Sequence, residues 1–564
     1  MKTPSLRTAL ALGALATLGL ALASPAQGQT CSFVSGPDVI VGELTGPSNY
    51  ASSGGIEALS LGTTSCNLGN ADLDWIDNSV NHPVIGQNLY RLKDYGGWWA
   101  MEQVGMSWLK HGFAALQGNA CCSNCNAGDF SHLGPGCSDP YGSSLNGSQG
   151  GLGPRWQVNA RTGDFTWPPA NPSWSGSTAR RLEVLVSDLE STGSTTTRYY
   201  GEGHYVTPDD ATFGHQDNNA SYRQLNVSGS GSSWNFSFSG GTMRESPAIR
   251  AWADSGLDPN VQLVEFNLSG EGRMILGYSV TDLGGGTWHY EYALYNMNSD
   301  ASIGSLIIPM PDGVNLTNVD FHDVTYRNGD GIGNVSHSGL DWSFTQATGR
   351  IIWSTEPFGA NPNANALRWG STYNFRFDAD TPPQAANLSL TRFKSGGGLF
   401  DQVAAQAPSA GGGFGNAFCN DSDGSLAACP CGNPGNPDSG CDNAQSTGGV
   451  FMEATAFSPD GLGGGTATFT GTGYNPGASP SYVLLRSTTQ TAAVAAFDGA
   501  ICVGNPVVRV GSGFAASGTA IEPYTHGAMA AAGTNYYQMW YRNTPGAFCT
   551  PDAANLSNGY DLTW

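Results

Sequence analysis

One lysine and one tyrosine, 31 residues apart, carry the chemistry most readily read from this chain. Lys110 opens the run Lys110-His-Gly-Phe-Ala-Ala-Leu116, and Tyr141 closes the run Leu133-Gly-Pro-Gly-Cys-Ser-Asp-Pro-Tyr141. A lysine amine and a tyrosine ring can be fused into a quinone, an electrophile that condenses with primary amines. The densest polar cluster is Glu202-Gly-His204 with Asp209-Asp210, followed by His215-Gln-Asp217-Asn-Asn219. Its imidazoles and carboxylates are metal-ligand types. The favoured account of them is a strand that exits into an Asp/Asn/Pro turn. Asp320-Phe-His322-Asp323 with Asn328-Gly-Asp330 is a weaker cluster, and Asn420-Asp-Ser-Asp423-Gly resembles half of a calcium loop. That loop lacks the distal bidentate glutamate, so a turn between cysteines is expected there.

Other catalytic signatures are missing. The chain has no Gly-x-Ser-x-Gly elbow, no His-Glu-x-x-His, no Walker loop and no dinucleotide-binding glycine motif between strand and helix. A Ser-His-Asp triad assembled from distant segments has no local support.

The elements that must position these residues belong to an exported chain. Lys2 and Arg7 precede an apolar run from Ala9 to Leu22, and small residues around Ala26 and Gly28 offer a cleavage point. Residues 1–28 therefore read as a signal peptide and the mature chain as secreted, or held at a bacterial cell surface, with no transmembrane anchor. The formal charge is −22, and loss of two basic residues with the signal moves it to −24. Such a surface repels nucleic acid and favours cationic partners. Charged residues make up only 12% of the chain and glycines number 79, so the surface is largely Ser, Thr, Asn and Gly, as in extracellular β-proteins.

The twelve cysteines fall into two sets of six, Cys31 to Cys137 and Cys419 to Cys549. Export and even counts predict disulfides in both sets, with pairing unreadable. Zinc is the weaker account of Cys121-Cys-x-x-Cys125 and Cys429-x-Cys431. The predicted fold is all-β and multidomain: three antiparallel β-sandwich-like domains with disulfides in the first and last. Their expected bounds are 29–228, 229–395 and 417–564, with a Gly/Ala/Ser-rich connector over 396–416. Thr287-Trp-His-Tyr-Glu-Tyr-Ala-Leu-Tyr295 alternates most clearly, placing Trp288, Tyr290, Tyr292 and Leu294 on one face. Lys110 to Leu116 is read as a strand.

Residues 60–228 resemble the catalytic domain of the lysyl oxidase family, secreted copper amine oxidases. Three blocks carry the resemblance. Lys110-His-Gly-Phe-x-x-Leu looks like the strand whose lysine becomes half of the lysyl tyrosylquinone cofactor. Leu133-Gly-Pro-Gly-Cys137-Ser-Asp-Pro-Tyr141-Gly looks like the block whose tyrosine supplies the other half. Val206-Thr-Pro208 leading to Asp217-Asn-Asn219 looks like the family's closing strand and turn. The resemblance implies Lys110 and Tyr141 as catalytic and cofactor-forming residues, and copper as the metal that makes the quinone. The family's His-x-His-x-His copper motif is reduced here to His82, in Asn78-Ser-Val-Asn-His82-Pro-Val-Ile-Gly86. His111, His204 and His215 are the candidates to complete a metal site with His82. Residues 229–395 and 417–564 resemble uncharacterised modules of secreted bacterial proteins.

Two functions follow as expectations. The favoured one is a non-catalytic extracellular binding or scaffold protein, with matrix or cell-surface components as partners and calcium as a further ligand. The alternative is a copper-dependent amine oxidase that uses a Lys110–Tyr141 quinone on cationic amines or lysine-rich proteins.

Overall fold

A computed structural model describes residues 30–543 and 553–564, except 113, 171, 191–195, 312, 348–349, 395–399, 409–414, 416, 421–428, 437–438, 460–463 and 528–532. The protein is all-β and multidomain, with 52% strand and 5% helix. Disulfides lie in its N-terminal and C-terminal regions and none in the middle. Among the described residues no helix is long and apolar enough to cross a membrane.

The N-terminal unit holds strands β1 (Val39–Asn49), β2 (Ile56–Asn67), β3 (Leu73–Asp74), β4 (Val84–Asp94), β5 (Trp99–Met106), β6 (Leu109–His111), β7 (His132–Leu133), β8 (Ser138–Tyr141), β9 (Leu152–Gly153), β10 (Leu182–Leu185), β11 (Thr197–Val206), β12 (Ala220–Ser230) and β13 (Ser233–Met243). The main sheet runs β1-β2-β10-β5-β4-β11-β12-β13. It folds back so that β1 lies against β11, β12 and β13. Period-two alternation decides what goes inside. On β11, Tyr199 and Tyr205 enter the interior with Leu59, Leu61, Leu89 and Leu225 near one and Val41 and Leu44 near the other. The intervening residues Tyr200, Glu202, His204 and Val206 face outward, toward the middle unit. The sheet runs on past residue 228, because β13 pairs with β12 and closes the wall.

Disulfides Cys31–Cys122, Cys66–Cys121 and Cys125–Cys137 tie the loops after β6 to β2 and to the N-terminal segment. Cys419–Cys502 and Cys429–Cys441 form in the last unit. Cys431 is also oxidised, and no described cysteine is free. Thiolates tied up in this way leave no zinc site at Cys121–Cys125. Gly42 makes the close approach possible: a Cβ there would sit 1.9 Å from the Cys66 sulfur.

The middle unit holds β14 (Gln262–Asn267), β15 (Arg273–Gly284), β16 (Thr287–Asn296), β17 (Ile303–Pro309), β18 (Leu316–His322), β19 (Ser343–Ala347), β20 (Arg350–Ser354), β21 (Ser371–Ala379), β22 (Pro383–Arg392) and β23 (Phe400–Pro408). Two five-stranded sheets, β14-β15-β16-β21-β18 and β19-β20-β17-β22-β23, face each other as a sandwich. Tyr290, Tyr292 and Leu294 pack in its core against Leu306, Ile308, Trp353 and Leu390. The opposite face of β16 is buried as well. Ala293 and Tyr295 join Tyr90, Leu92, Tyr200 and Trp252 in a second core shared with the N-terminal unit.

Strand β23 corrects the connector expected over 396–416. Phe400–Pro408 pairs with Pro383–Thr391 along its length. The physical reason is the alternation of Val403, Ala405 and Ala407, all buried, in a run whose small residues look like a linker. In the last unit a five-stranded sheet around Thr534–Arg542 and a three-stranded sheet around Gly465–Thr472 enclose Met452, Phe469, Leu484, Tyr537 and Met539.

Candidate functional site

Lys110 lies on β6, which pairs with the start of β4 and with β9. Lys110 is opposite Ile85 on one side and Leu152 on the other. The strand stops at His111, shorter than the expected 110–116. Beyond it Gly112 N–H still donates to the Pro83 carbonyl at 2.9 Å, but Ala115 N–H donates to that of Phe130 at 2.8 Å, so by Ala115 the chain has changed partners. Phe113 falls outside the described residues. The Lys110 side chain is buried, and burial lowers its amine pKa from the ordinary value. Gly151 makes room for it: a Cβ there would sit 2.3 Å from the Lys110 Nζ.

Tyr141 ends β8 opposite Thr63 of β2. Tyr205 relates the two residues. It pairs with Ile85, the neighbour of Lys110, and its hydroxyl lies 2.9 Å from that of Thr63, the neighbour of Tyr141. Both motif residues therefore belong to one end of the same folded-back sheet. Tyr141 packs on the core that holds Ile85, Leu133, Cys137 and Tyr205. Burial, and then the Asp139 charge, push its phenol pKa well up.

His82 and His111 meet. Their Nε2 and Nδ1 atoms are 2.9 Å apart, inside a box made by Phe165 and Trp167. The pairing of Val84 with His111 produces the meeting across 29 residues of sequence. His82 Nδ1 lies 3.4 Å from the Ile76 carbonyl. A carbonyl only accepts, so Nδ1 carries the proton and Nε2 accepts from His111 Nδ1–H. Burial first, and then the cost of a charge beside His82 and Lys110, pushes the His111 pKa down to about 3. The pair is neutral at physiological pH.

His204 and His215 stand apart from that pair. His204 is on β11 opposite Gly86, facing the middle unit, with its ring edge-on to Trp369. Its two ring nitrogens are buried without hydrogen-bond partners, and burial lowers its pKa to about 3. His215 Nε2 donates to the Ser35 carbonyl at 2.8 Å. Two imidazole nitrogens 2.9 Å apart would suit ligands at right angles about a metal, each ~2.0–2.1 Å from it. Among the described residues no third His, Cys, Asp or Glu joins them. The residues present do not fit a three-imidazole copper site.

The acidic clusters are structural. Asp209 and Asp210 open a helical turn, Pro208–Phe213. Asp210 accepts from Val39 N–H and Asn219 Nδ2, both at 2.9 Å, and Asp209 from Asp74 N–H at 2.7 Å. Asp323 accepts from Asn365, and Asp330 from the Trp108 indole at 2.5 Å. The calcium-loop resemblance falls on Asp421 to Gly424, outside the described residues.

Asp139 escaped the sequence reading although it stands two residues before Tyr141. It is buried and accepts from Leu116 N–H at 2.9 Å. Burial pushes its carboxyl up to about 7. That raised carboxyl, whose charge acts on Tyr141, sets Asp139 apart from an ordinary exposed carboxylate. Only its burial signals this, and burial is not written in Cys-Ser-Asp-Pro-Tyr.

No protein-family model matches the chain, and no curated protein matches it. Among solved structures it is similar to the Actinomyces fimbrial adhesin FimA, at 10% identity and a TM-score of 0.13, over 54% of this chain and all of that one. It is also similar to the full-length major pilin RrgB of Streptococcus pneumoniae, at 10% identity and a TM-score of 0.16, over 72% of this chain and 60% of the pilin. A second RrgB structure gives 10% identity and the same TM-score over 84% of this chain and 63% of that one. At these scores the likeness carries no argument about function.

Proposed function

We propose that the chain is an exported extracellular or cell-surface protein that serves as a binding scaffold, with a lysyl-oxidase-like N-terminal unit that does no oxidation. The observation that carries this reading is the use made of its imidazoles. His82 and His111 are occupied with each other in an aromatic box, His204 faces the neighbouring unit, and His215 is bound to the Ser35 carbonyl. Stapled loops and interlocked β units suit a rigid body outside the cell.

The second reading, a copper-dependent amine oxidase acting on cationic amines or lysine-rich proteins, is favoured by the placement of Lys110 and Tyr141 at one end of one sheet. One experiment separates the two. The secreted chain is loaded with copper under O₂, reduced at its disulfides and weighed intact, and hydrogen peroxide release from a primary amine is followed in parallel. The scaffold reading expects the uncrosslinked mass and no peroxide. A Lys110–Tyr141 crosslinked peptide that has gained one oxygen and lost hydrogens, with peroxide release abolished by Lys110→Ala, overturns it in favour of the oxidase.

A further inference from the structure

One end of the N-terminal unit carries a short ribbon apart from the main sheet. Strands β3 and β7 pair there, with Leu73 opposite Leu133 and Asp74 opposite His132. Both leucines are buried in the core of that end. The next residue on each strand therefore points out, and the His132 and Asp74 side chains are 35% and 36% exposed. Solvent reaches both.

Their backbone is held in advance. Cys125–Cys137 closes the loop that carries His132. The Gln117 amide donates to the Asp129 and His132 carbonyls, both at 2.9 Å, and accepts from Gly128 and Gly134 N–H, both at 3.1 Å. On the facing strand Asp74 N–H donates to Asp209 at 2.7 Å. A site built on fixed backbone loses less freedom when it takes a ligand.

The imidazole has a definite orientation. Its Nδ1 lies 2.8 Å from Asp129 Oδ1. A carboxylate only accepts, so Nδ1 carries a proton. Nε2 then faces Asp74, with Oδ1 3.8 Å away. In the neutral ring that sets a nitrogen lone pair against an anionic oxygen, too far apart for a hydrogen bond. A positive occupant suits the gap. A proton on Nε2 is one: the hydrogen bond to Asp129, and then the charges of Asp129, Asp74 and Asp72, raise the His132 pKa against a smaller effect of burial.

A metal ion is the other. Bonds of about 2.0–2.2 Å to nitrogen and oxygen span this gap at an open angle, and a small closure of the two exposed side chains makes the angle tetrahedral. A carboxylate behind the imidazole and a lone pair in front is also the arrangement that orients histidine at zinc sites.

We propose that His132 Nε2 and the Asp74 carboxylate hold a zinc ion at this outer end of the N-terminal unit, with Asp129 positioning the imidazole from behind. An imidazole ligand favours zinc over calcium or magnesium, which take oxygen. Among the described residues no third His, Cys, Asp or Glu joins the pair. The other positions are left to water, so the ion is exchangeable, unlike one in a closed structural site. The site is separate from the buried His82–His111 pair and does not rest on the scaffold reading.

The test is calorimetric titration of the whole secreted chain with zinc chloride at neutral pH. The expected result is a zinc complex that His132→Gln and Asp74→Asn each abolish and Asp129→Asn weakens about 10–100-fold, the usual effect of losing a carboxylate behind a ligating histidine. Binding should weaken as pH falls, because a proton takes Nε2. The altered side chains are exposed, and circular dichroism checks that each variant is folded. Copper serves as a spectroscopic probe of the same site. Its electron spin resonance should show coupling to one nitrogen, lost in His132→Gln, whereas copper at His82 and His111 would couple to two. No zinc binding, unchanged zinc affinity in any of the three folded variants, or a two-nitrogen copper signal overturns the proposal. The crosslinking experiment reads Lys110 and Tyr141 and this one reads His132, so the two fail separately.

Discussion

Asp139 is the residue on which the chemistry of the N-terminal unit is most exposed to test. Its carboxyl goes from an ordinary 3.8 to about 7 because it is buried. The folded pKa lies above the unfolded one, so the folded state binds the proton more tightly and stability falls as pH rises from about 4 to about 7. Asp139→Asn keeps an acceptor for Leu116 N–H and removes the ionisation. It should stabilise the protein at pH 8 by about 1–3 kcal/mol, and the gain should vanish below pH 4; urea midpoints at the two pH values measure it. His111 runs the other way. Its folded pKa near 3 lies below the ordinary 6.5, so its contribution is complete above pH 6.5 and declines as pH falls toward 3. In His111→Phe the unfolding free energy should therefore fall less between pH 7 and pH 4 than in the parent chain. Lys110 and Tyr141 were legible because their neighbours form long runs. The partnership of His82 and His111 was not, since a strand pairing 29 residues apart creates it.

Among the elements, the tie between β2 and the loop after β6 sets how firmly the site's end of the sheet is held. Cys66–Cys121 closes 55 residues, and loop closure of that length is worth about 2–4 kcal/mol. The double variant Cys66→Ala, Cys121→Ala should lose about that much in a urea titration, with the other disulfides intact by mass. If the urea midpoint does not move, the loop is held by packing alone. The strand pattern was easiest to see where one face is aromatic, as in β16. It was hidden in β23, where Val403, Ala405 and Ala407 bury little area per residue and the flanking glycines suggest a linker. It was also incomplete at β13, where exposed Ser233, Asn235 and Ser237 alternate with Trp234, Phe236 and Phe238 and only pairing with β12 brings the strand into the first sheet.

At the scale of the whole molecule, the first two units are joined by charge as well as by apolar packing. Arg376 of β21 reaches Glu102 of β5 and Glu291 of β16, both at 2.8 Å, and Glu102 also holds Arg91 at 2.7 Å. Burial alone would raise the Glu102 pKa, but the charges of His322, Arg376 and Arg91 hold it down to about 2. That contribution is present above pH 4.5 and is lost as pH falls toward 2. Arg376→Ala leaves two buried carboxylates short of a partner and should cost about 3–5 kcal/mol. Scanning calorimetry should then show the joint transition of the two units separating into two. A single transition at the parent temperature would mean that the apolar core around Trp252 couples them unaided.

Composition, alternation and cysteine count by themselves determined the class of this protein: all-β, several units, disulfides at both ends. These follow from local rules, because a strand's period and an exported chain's even cysteines do not depend on what lies across the fold. Tertiary structure alone decided which residues meet. It joined His82 to His111, turned His204 toward Trp369 and buried Asp139 beside Tyr141. Each of these depends on strand pairing or on docking of one sheet against another. The energies involved are those of desolvation, which no single segment carries in its own residues.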